Sequence, residues 1–149
     1  MAQVEGILLP DDLYYQPEDH LWVRLEGKQA RVGLDDLAQR SAGAVSAVRL
    51  KPAGRPVAKG KPFGTMEAGK YVGPLKAPIV GQVIQVNAEV MNRPGLLNSD
   101  PYGKGWLILV EPDTASMARD LADLVHDEAT QAWLEKSVAD WRKRGLLKG

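Results

Sequence analysis

Short apolar runs broken by turn residues at intervals of about 8–12 positions fill the chain from Leu21 to Glu111. Runs this short cannot stand alone and must pair into sheets. Leu21–Leu25 and Gln29–Val32 read as two strands around the turn Glu26-Gly27-Lys28. Ala44–Leu50 alternates, with Val45, Ala47 and Arg49 set against Ala44, Ser46, Val48 and Leu50. Lys61–Met66 and Pro78–Asn87 read as two further strands, the second with Val80, Ile84 and Val86 on one face and with Gly81 marking a bend or close backbone approach. Asp100-Pro101-Tyr102-Gly103 is a turn, and Gly105–Glu111 is a buried strand. Leu34–Arg40 reads as a short helix, and Ala88–Ser99 as turns with a helical piece. The pattern predicts a sandwich or flattened barrel.

The periodicity then changes. Met117, Leu121, Leu124 and Val125 fall on one helical face behind a cap at Asp113 or Thr114. Trp133, Leu134, Val138 and Trp141 form a second such face, which ends in Arg142-Lys143-Arg144-Gly145 as a helix C-terminus favours. The expected organisation is a β domain over residues 1–112 and a helical extension over 113–149 packed on it.

The 149 residues suffice for one domain with a real core. Lys+Arg and Asp+Glu balance at 19 each, so no global field points to nucleic acid or a membrane surface. The absence of Cys excludes disulfides, thiolate metal sites and a cysteine nucleophile, and it fits a reducing cytoplasm. The first residues carry no basic leader, and no run approaches a membrane span. Charge is nonetheless segregated. Met1–Asp36 holds eight acids and three bases, Arg49–Lys76 seven bases and one acid, and Glu111–Thr130 six acids and one base. A basic face around the middle of the chain follows, with lysines guarding a sheet edge as the plainer alternative.

No arrangement argues for an enzyme. Ser41 and Ser46 lack the glycine-framed elbow of a nucleophile, and no glycine-rich phosphate loop is present. His20 and His126 fit no common metal spacing. His126 reads as a solvated helix residue, and His20, just before Trp22, as a packing or hydrogen-bonding residue. Trp133 and Trp141 read as a core-packing face. The informative residue is Lys70, in Ala-Gly-Lys-Tyr-Val-Gly between two strand-like runs. A single lysine at a hairpin tip suits enzymatic acylation, whereas an ordinary surface lysine in a turn is the commoner reading of the same composition. Glu67, three residues earlier, either helps shape the tip or is a solvated acid.

Taken together, Tyr14–Val110 resembles the H protein of the glycine cleavage system. His20-Leu21-Trp22-Val23 is similar to that family's His-Glu-Trp-Val, and Gly33–Gln39 to its Gly-Ile-Thr-Asp-Tyr-Ala-Gln. Glu67-Ala68-Gly69-Lys70 stands where the family carries its lipoylation motif Glu-Ser-Val-Lys. Leu96–Leu107, LLNSDPYGKGWL, is close to the family's Leu-Val-Asn-x-Asp-Pro-Tyr-Gly-x-Gly-Trp-Leu. The tip departs from the pattern. Ala68-Gly69 replaces Ser-Val, Tyr71 replaces a small residue, an acid is lost at Pro74 and a base gained at Lys76. The stretch Glu-x-Gly-Lys-Tyr-Val-Gly-Pro resembles more closely the H-protein-like lipoate-binding proteins associated with heterodisulfide-reductase-like sulfur oxidation.

The resemblance implies a mainly β barrel-sandwich hybrid with C-terminal helices, carrying lipoate in amide linkage to Lys70, with Glu67, Gly69 and Tyr71 around the attachment point. It implies a cofactor carrier rather than a catalyst. The cargo would be a sulfur-bound intermediate passed within a heterodisulfide-reductase-like complex. Alternatives are the aminomethyl group of the glycine cleavage enzymes and, in a different class, an unmodified structural or regulatory subunit. A biotin carrier is disfavoured, because Lys70 lacks flanking methionines. Expected partners are a lipoate–protein ligase or lipoyltransferase, a redox enzyme complex and dihydrolipoamide dehydrogenase. A cytoplasmic monomer is expected, with no nucleic acid or membrane partner.

Overall fold

The computed structural model describes residues 1–69 and 71–147. Along the chain these form β1 (Ala2–Val4), β2 (Ile7–Leu9), β3 (Tyr14–Tyr15), β4 (Leu21–Glu26), β5 (Gln29–Leu34), α1 (Asp36–Ala42), β6 (Val45–Leu50), β7 (Pro56–Val57) and β8 (Pro62–Ala68). Then follow β9 (Tyr71–Lys76), β10 (Gly81–Val86), α2 (Ala88–Asn92), α3 (Leu96–Ser99), β11 (Ile108–Pro112), α4 (Met117–Ala122) and α5 (Ala129–Lys143). A six-stranded sheet runs β3-β4-β5-β11-β10-β7, a three-stranded sheet β6-β8-β9, and β1-β2 is a separate ribbon, all with antiparallel neighbours. None of the helices described is long and apolar enough to cross a membrane.

Two cores lie on opposite faces of the six-stranded sheet. Successive strand residues point to opposite faces, so β4 sends Val23 one way and Trp22 the other, and both are fully buried. Val23 joins Val32, Val48, Met66, Ile79 and Ile108 between the two larger sheets. Trp22 joins Tyr15, Ile7, Leu9, Leu37 and the α5 residues Leu134 and Val138. Burial on both faces explains why the run Leu21-Trp22-Val23 does not alternate.

The Asp-Pro-Tyr-Gly turn locks the second core. Trp22 Nε1 donates to Pro101 O at 3.0 Å and Arg24 Nη2 to Tyr102 O at 3.0 Å. The Tyr102 hydroxyl accepts from Asp36 N (2.8 Å) and donates to Leu8 O (2.6 Å), so one phenol ties α1 to the ribbon.

Four expectations are corrected. The partner strand of β8 is Tyr71–Lys76, not Pro78–Asn87; the latter corresponds to β10, in the other sheet. In sequence Gly73 and Pro74 suit a tight reversal after Lys70, but they lie within β9, an edge strand, where a proline's missing N–H costs no ladder bond. The alternation in β6 fails at a bulge between Val45 and Ala47, which turns both Val45 and Val48 inward. A bulge between Val83 and Gln85 likewise makes Val83 the core residue of β10 and leaves Ile84 37% exposed. The first C-terminal helix stops at Ala122, because Val125 is captured as a strand partner of Tyr15 through two 2.8 Å backbone bonds. His126 therefore sits in the connection between α4 and α5 rather than on a helix. Gly81 does meet a close backbone, since a Cβ there would lie 2.4 Å from Glu111 O.

Candidate functional site

The β8–β9 hairpin stays in register to its end: Thr65 pairs with Pro74, Met66 with Gly73, Glu67 with Val72 and Ala68 with Tyr71. Only Gly69 and Lys70 lie between the last pair. Gly69 has φ +58 and open space around it, the conformation that tight hairpin loops require and glycine supplies without strain. Lys70 itself lies outside the described residues. The six-residue tip expected from the sequence is thus mostly strand.

The two faces of the hairpin differ. Ala68, Met66, Gly73 and Leu75 are buried against the first core. On the outer face Glu67 is half-buried between Ala47 and Val72, and the next row is Arg49, Thr65 and Pro74. Val72 is 67% exposed and Tyr71 49%. The expected basic face takes partial form. Arg49, Lys51, Arg55 and Lys61 are exposed and make no ion pair among the described residues, whereas Lys59 is paired with Asp123.

Beside the hairpin lies a groove of about 430 Å³, within the range of ~300–1,000 Å³ typical of small-molecule sites. Met66, Tyr71, Pro74, Leu75 and Lys76 form its hairpin wall, and Trp141, Arg144, Gly145 and Leu146 the opposite one. Leu21, Leu34, Ala38 and Ala42 are its apolar floor, and Glu18 and Asp19 stand at the side. The groove thus starts at the residue after Lys70, with charges of both signs on its rim. A larger hollow of about 500 Å³ near Arg40 and Arg142 is less suited to a ligand. Its arginines already pair with Asp36 and Glu5, and Ser41 with Leu146 O.

The far wall is anchored through His20. This residue is fully buried, with φ +59, and its Nδ1 lies 2.7 Å from Asp35 Oδ2. The other Asp35 oxygen accepts from Ala38 N at 2.9 Å and caps α1. Trp133 stacks on the imidazole at 4.4 Å, and Trp141 meets its edge at 4.7 Å. Trp141 is therefore both a packing residue, as its spacing implied, and groove lining. Nε2 of His20 is buried without a partner among the described residues. Burial and the nearby Asp35 charge push the Tyr15 phenol far above its ordinary range, and Tyr102 likewise, burial being the larger cause in both.

Of the residues singled out from the sequence, Gly69 and Tyr71 flank the tip, Tyr71 reaches the groove, and Glu67 points to the opposite face. The groove walls contributed by Met66, Leu75 and Arg144 carry no local signal. They become neighbours only when the C-terminal end of α5 and the residues after it reach the groove.

Two sheets closing over a shared core, with one hairpin standing at their edge, define a barrel-sandwich hybrid. A family profile described as glycine cleavage H-protein matches residues 13–137. Glycine cleavage system H protein 3 of Aquifex aeolicus is 38% identical over 141 residues, covering 93% of this chain and 88% of that protein. The H protein of Halalkalibacterium halodurans is 42% identical over 113 residues, covering 76% and 88%. A crystal structure of a glycine cleavage system H protein from Mycobacterium marinum superposes with a TM-score of 0.66 at 34% identity, over 70% of this chain and 86% of that one. The chain belongs to the glycine cleavage H-protein family.

Proposed function

We propose that the chain is a lipoyl carrier, with lipoate in amide linkage to Lys70, and not itself a catalyst. The observation that carries this reading is the hairpin that pairs fully up to Ala68 and Tyr71 and brings its inner face to an apolar groove one residue further on. The residues present suit the group. Exposed Gly69 and Val72 leave room for a modifying enzyme, and Met66, Leu75, Leu21 and Leu34 would receive an alkyl arm folded back along the hairpin. The bound arm would supply reversible thiol–disulfide chemistry at its dithiolane. The chain's own part is placement: a hairpin paired up to Ala68 and Tyr71 would present the attachment point, and without Cys the protein offers no competing thiol. Glu67, on the outer face, would meet the ligase or transferase rather than the groove.

For the cargo, membership of the glycine cleavage family supports the one-carbon amine handled by the glycine cleavage enzymes. The sulfur cargo and heterodisulfide-reductase-like partner expected from the tip sequence draw no support from these relatives. Intact mass of the protein from its native host, with fragmentation, tests the attachment. A lipoyl increment on Lys70, lost in Lys70→Arg, is expected; an unmodified chain from cells that lipoylate other proteins would sink it. Incubating the loaded chain with glycine and a purified glycine decarboxylase tests the cargo, and failure to take up the glycine-derived carbon would return the sulfur reading to first place.

A further inference from the structure

We infer that Tyr71 is a positioning residue for the arm: its ring, folded back over Gly73, is the surface on which a lipoyl group on Lys70 turns from the tip into the groove. This rests on the carrier reading. Tyr71, Gly73 and Leu75 lie at alternate positions of β9 and so share its inner face, opposite Ala68, Met66 and Gly64. At the last strand pair Ala68 is still buried in the first core, but Tyr71, on the edge strand, is half exposed and could stand in solvent. Its ring instead lies down along the strand. A Cβ on Gly73 would fall 2.2 Å from the Tyr71 hydroxyl oxygen and 2.5 Å from Cζ, so the ring occupies the space that any other residue at 73 would fill. Gly73 is buried under it, while 49% of Tyr71 stays exposed and continues the groove wall of Met66 and Leu75.

An arm attached at the preceding residue meets this ring before any other part of the groove. Alkyl chains pack on aromatic faces, so the stem of the arm would lie on the ring and its dithiolane would pass further into the groove. The ring thereby sets the direction in which the arm leaves the tip, and the glycine two residues on is what lets it do so.

Removing the ring and pushing it aside should be equivalent. The full chain, loaded with lipoate, is treated with tris(carboxyethyl)phosphine, and the rate of dithiolane reduction is compared with that of free lipoamide. A docked arm is expected to react about fourfold more slowly or beyond, the effect of one methylene of the arm buried on the ring. Tyr71→Ala and Gly73→Ala should each bring the rate to that of lipoamide, and Tyr71→Phe should keep the protection. The double variant Tyr71→Ala/Gly73→Ala should match Tyr71→Ala, since no ring remains to be displaced. This pair carries the comparison even if Gly73→Ala alone fails to fold. As an independent readout, the Tyr71 ring resonances should shift on loading in the wild type and not in Gly73→Ala. Equal rates for wild type and Tyr71→Ala, or a wild-type rate equal to that of lipoamide, overturn the role of the ring. Mass spectra are taken first, and a chain that a competent ligase leaves unmodified overturns the carrier reading itself.

Discussion

Gly69 and His20 adopt nearly the same backbone conformation, φ +58 and +59, at opposite ends of the groove's construction. Gly69 is exposed with nothing near its missing side chain. There the local preference of glycine alone decides the turn. His20 is buried, and a non-glycine residue in this region costs on the order of 1–3 kcal/mol. That cost is offset by the Asp35 bond and by packing between Trp133 and Trp141. The tip is thus shaped by its own sequence and leaves its surroundings open. The wall is held by contacts from β4, α1 and α5 at once.

The comparison can be broken at the buried end first, at high pH. Tyr15 and Tyr102 have phenols raised above the ordinary 10.0 by burial first and the Asp35 charge second. An acid whose folded value is raised contributes stability fully below its unfolded value, and that stability is lost as pH climbs beyond it. Above about pH 10 these two phenols should ionise only as the protein unfolds, so the tyrosinate absorbance step for them should coincide with loss of circular dichroism. Phenol ionisation of Tyr15 and Tyr102 with ellipticity intact would contradict the burial described.

Asp35→Ala comes next. It removes the α1 cap, worth ~1 kcal/mol, and strands the His20 ring nitrogen, worth ~1–3 kcal/mol. A loss of about 2–4 kcal/mol in urea denaturation is expected from these two terms. At the tip, Gly69→Ala should cost only about 1–2 kcal/mol, the price of a left-handed backbone without any clash. A loss at Gly69 larger than that at Asp35 would reverse the contrast. The smallest effect is at Glu26, lowered from its ordinary 4.5 mainly by the hydrogen bond from Arg31. A lowered carboxyl contributes stability above its unfolded value and loses it as pH falls through the folded one. Glu26→Gln should therefore remove at most a few tenths of a kcal/mol, in full above about pH 4.5 and fading as pH falls through the lowered folded value, because the pair is partly solvated.

The same contrast explains what the sequence made legible. Turns governed by local chemistry were readable: Glu26-Gly27-Lys28, Asp100–Gly103, and the glycine before Lys70. The short strands and the two C-terminal helices followed from periodicity. What escaped were features set by distant partners. β9 was hidden because Gly73 and Pro74 suit a tight reversal unless the strand is known to lie at an edge. Single-residue bulges in β6 and β10 reversed the faces read from strict alternation. Nor could spacing along one chain reveal that Asp35, fifteen residues from His20, would be its partner, or that Arg144 would face Leu75.

The β1–β2 ribbon has a consequence for how the molecule behaves in company. Two short strands normally leave a row of bare amide groups on each side, an invitation to pair with another chain. Here both sides are closed by side chains. Gln131 mimics a neighbouring strand on one side, accepting from Gln3 N at 2.9 Å and donating to Gln3 O at 3.1 Å. On the other, Leu8 N donates to Asp36 at 2.9 Å and Leu8 O accepts from Tyr102 at 2.6 Å. Each is a side-chain stopper against sheet extension, Gln131 alone on one side and Asp36 with Tyr102 on the other. The ribbon thereby closes its own two edges, at Gln3 and at Leu8, to any further strand.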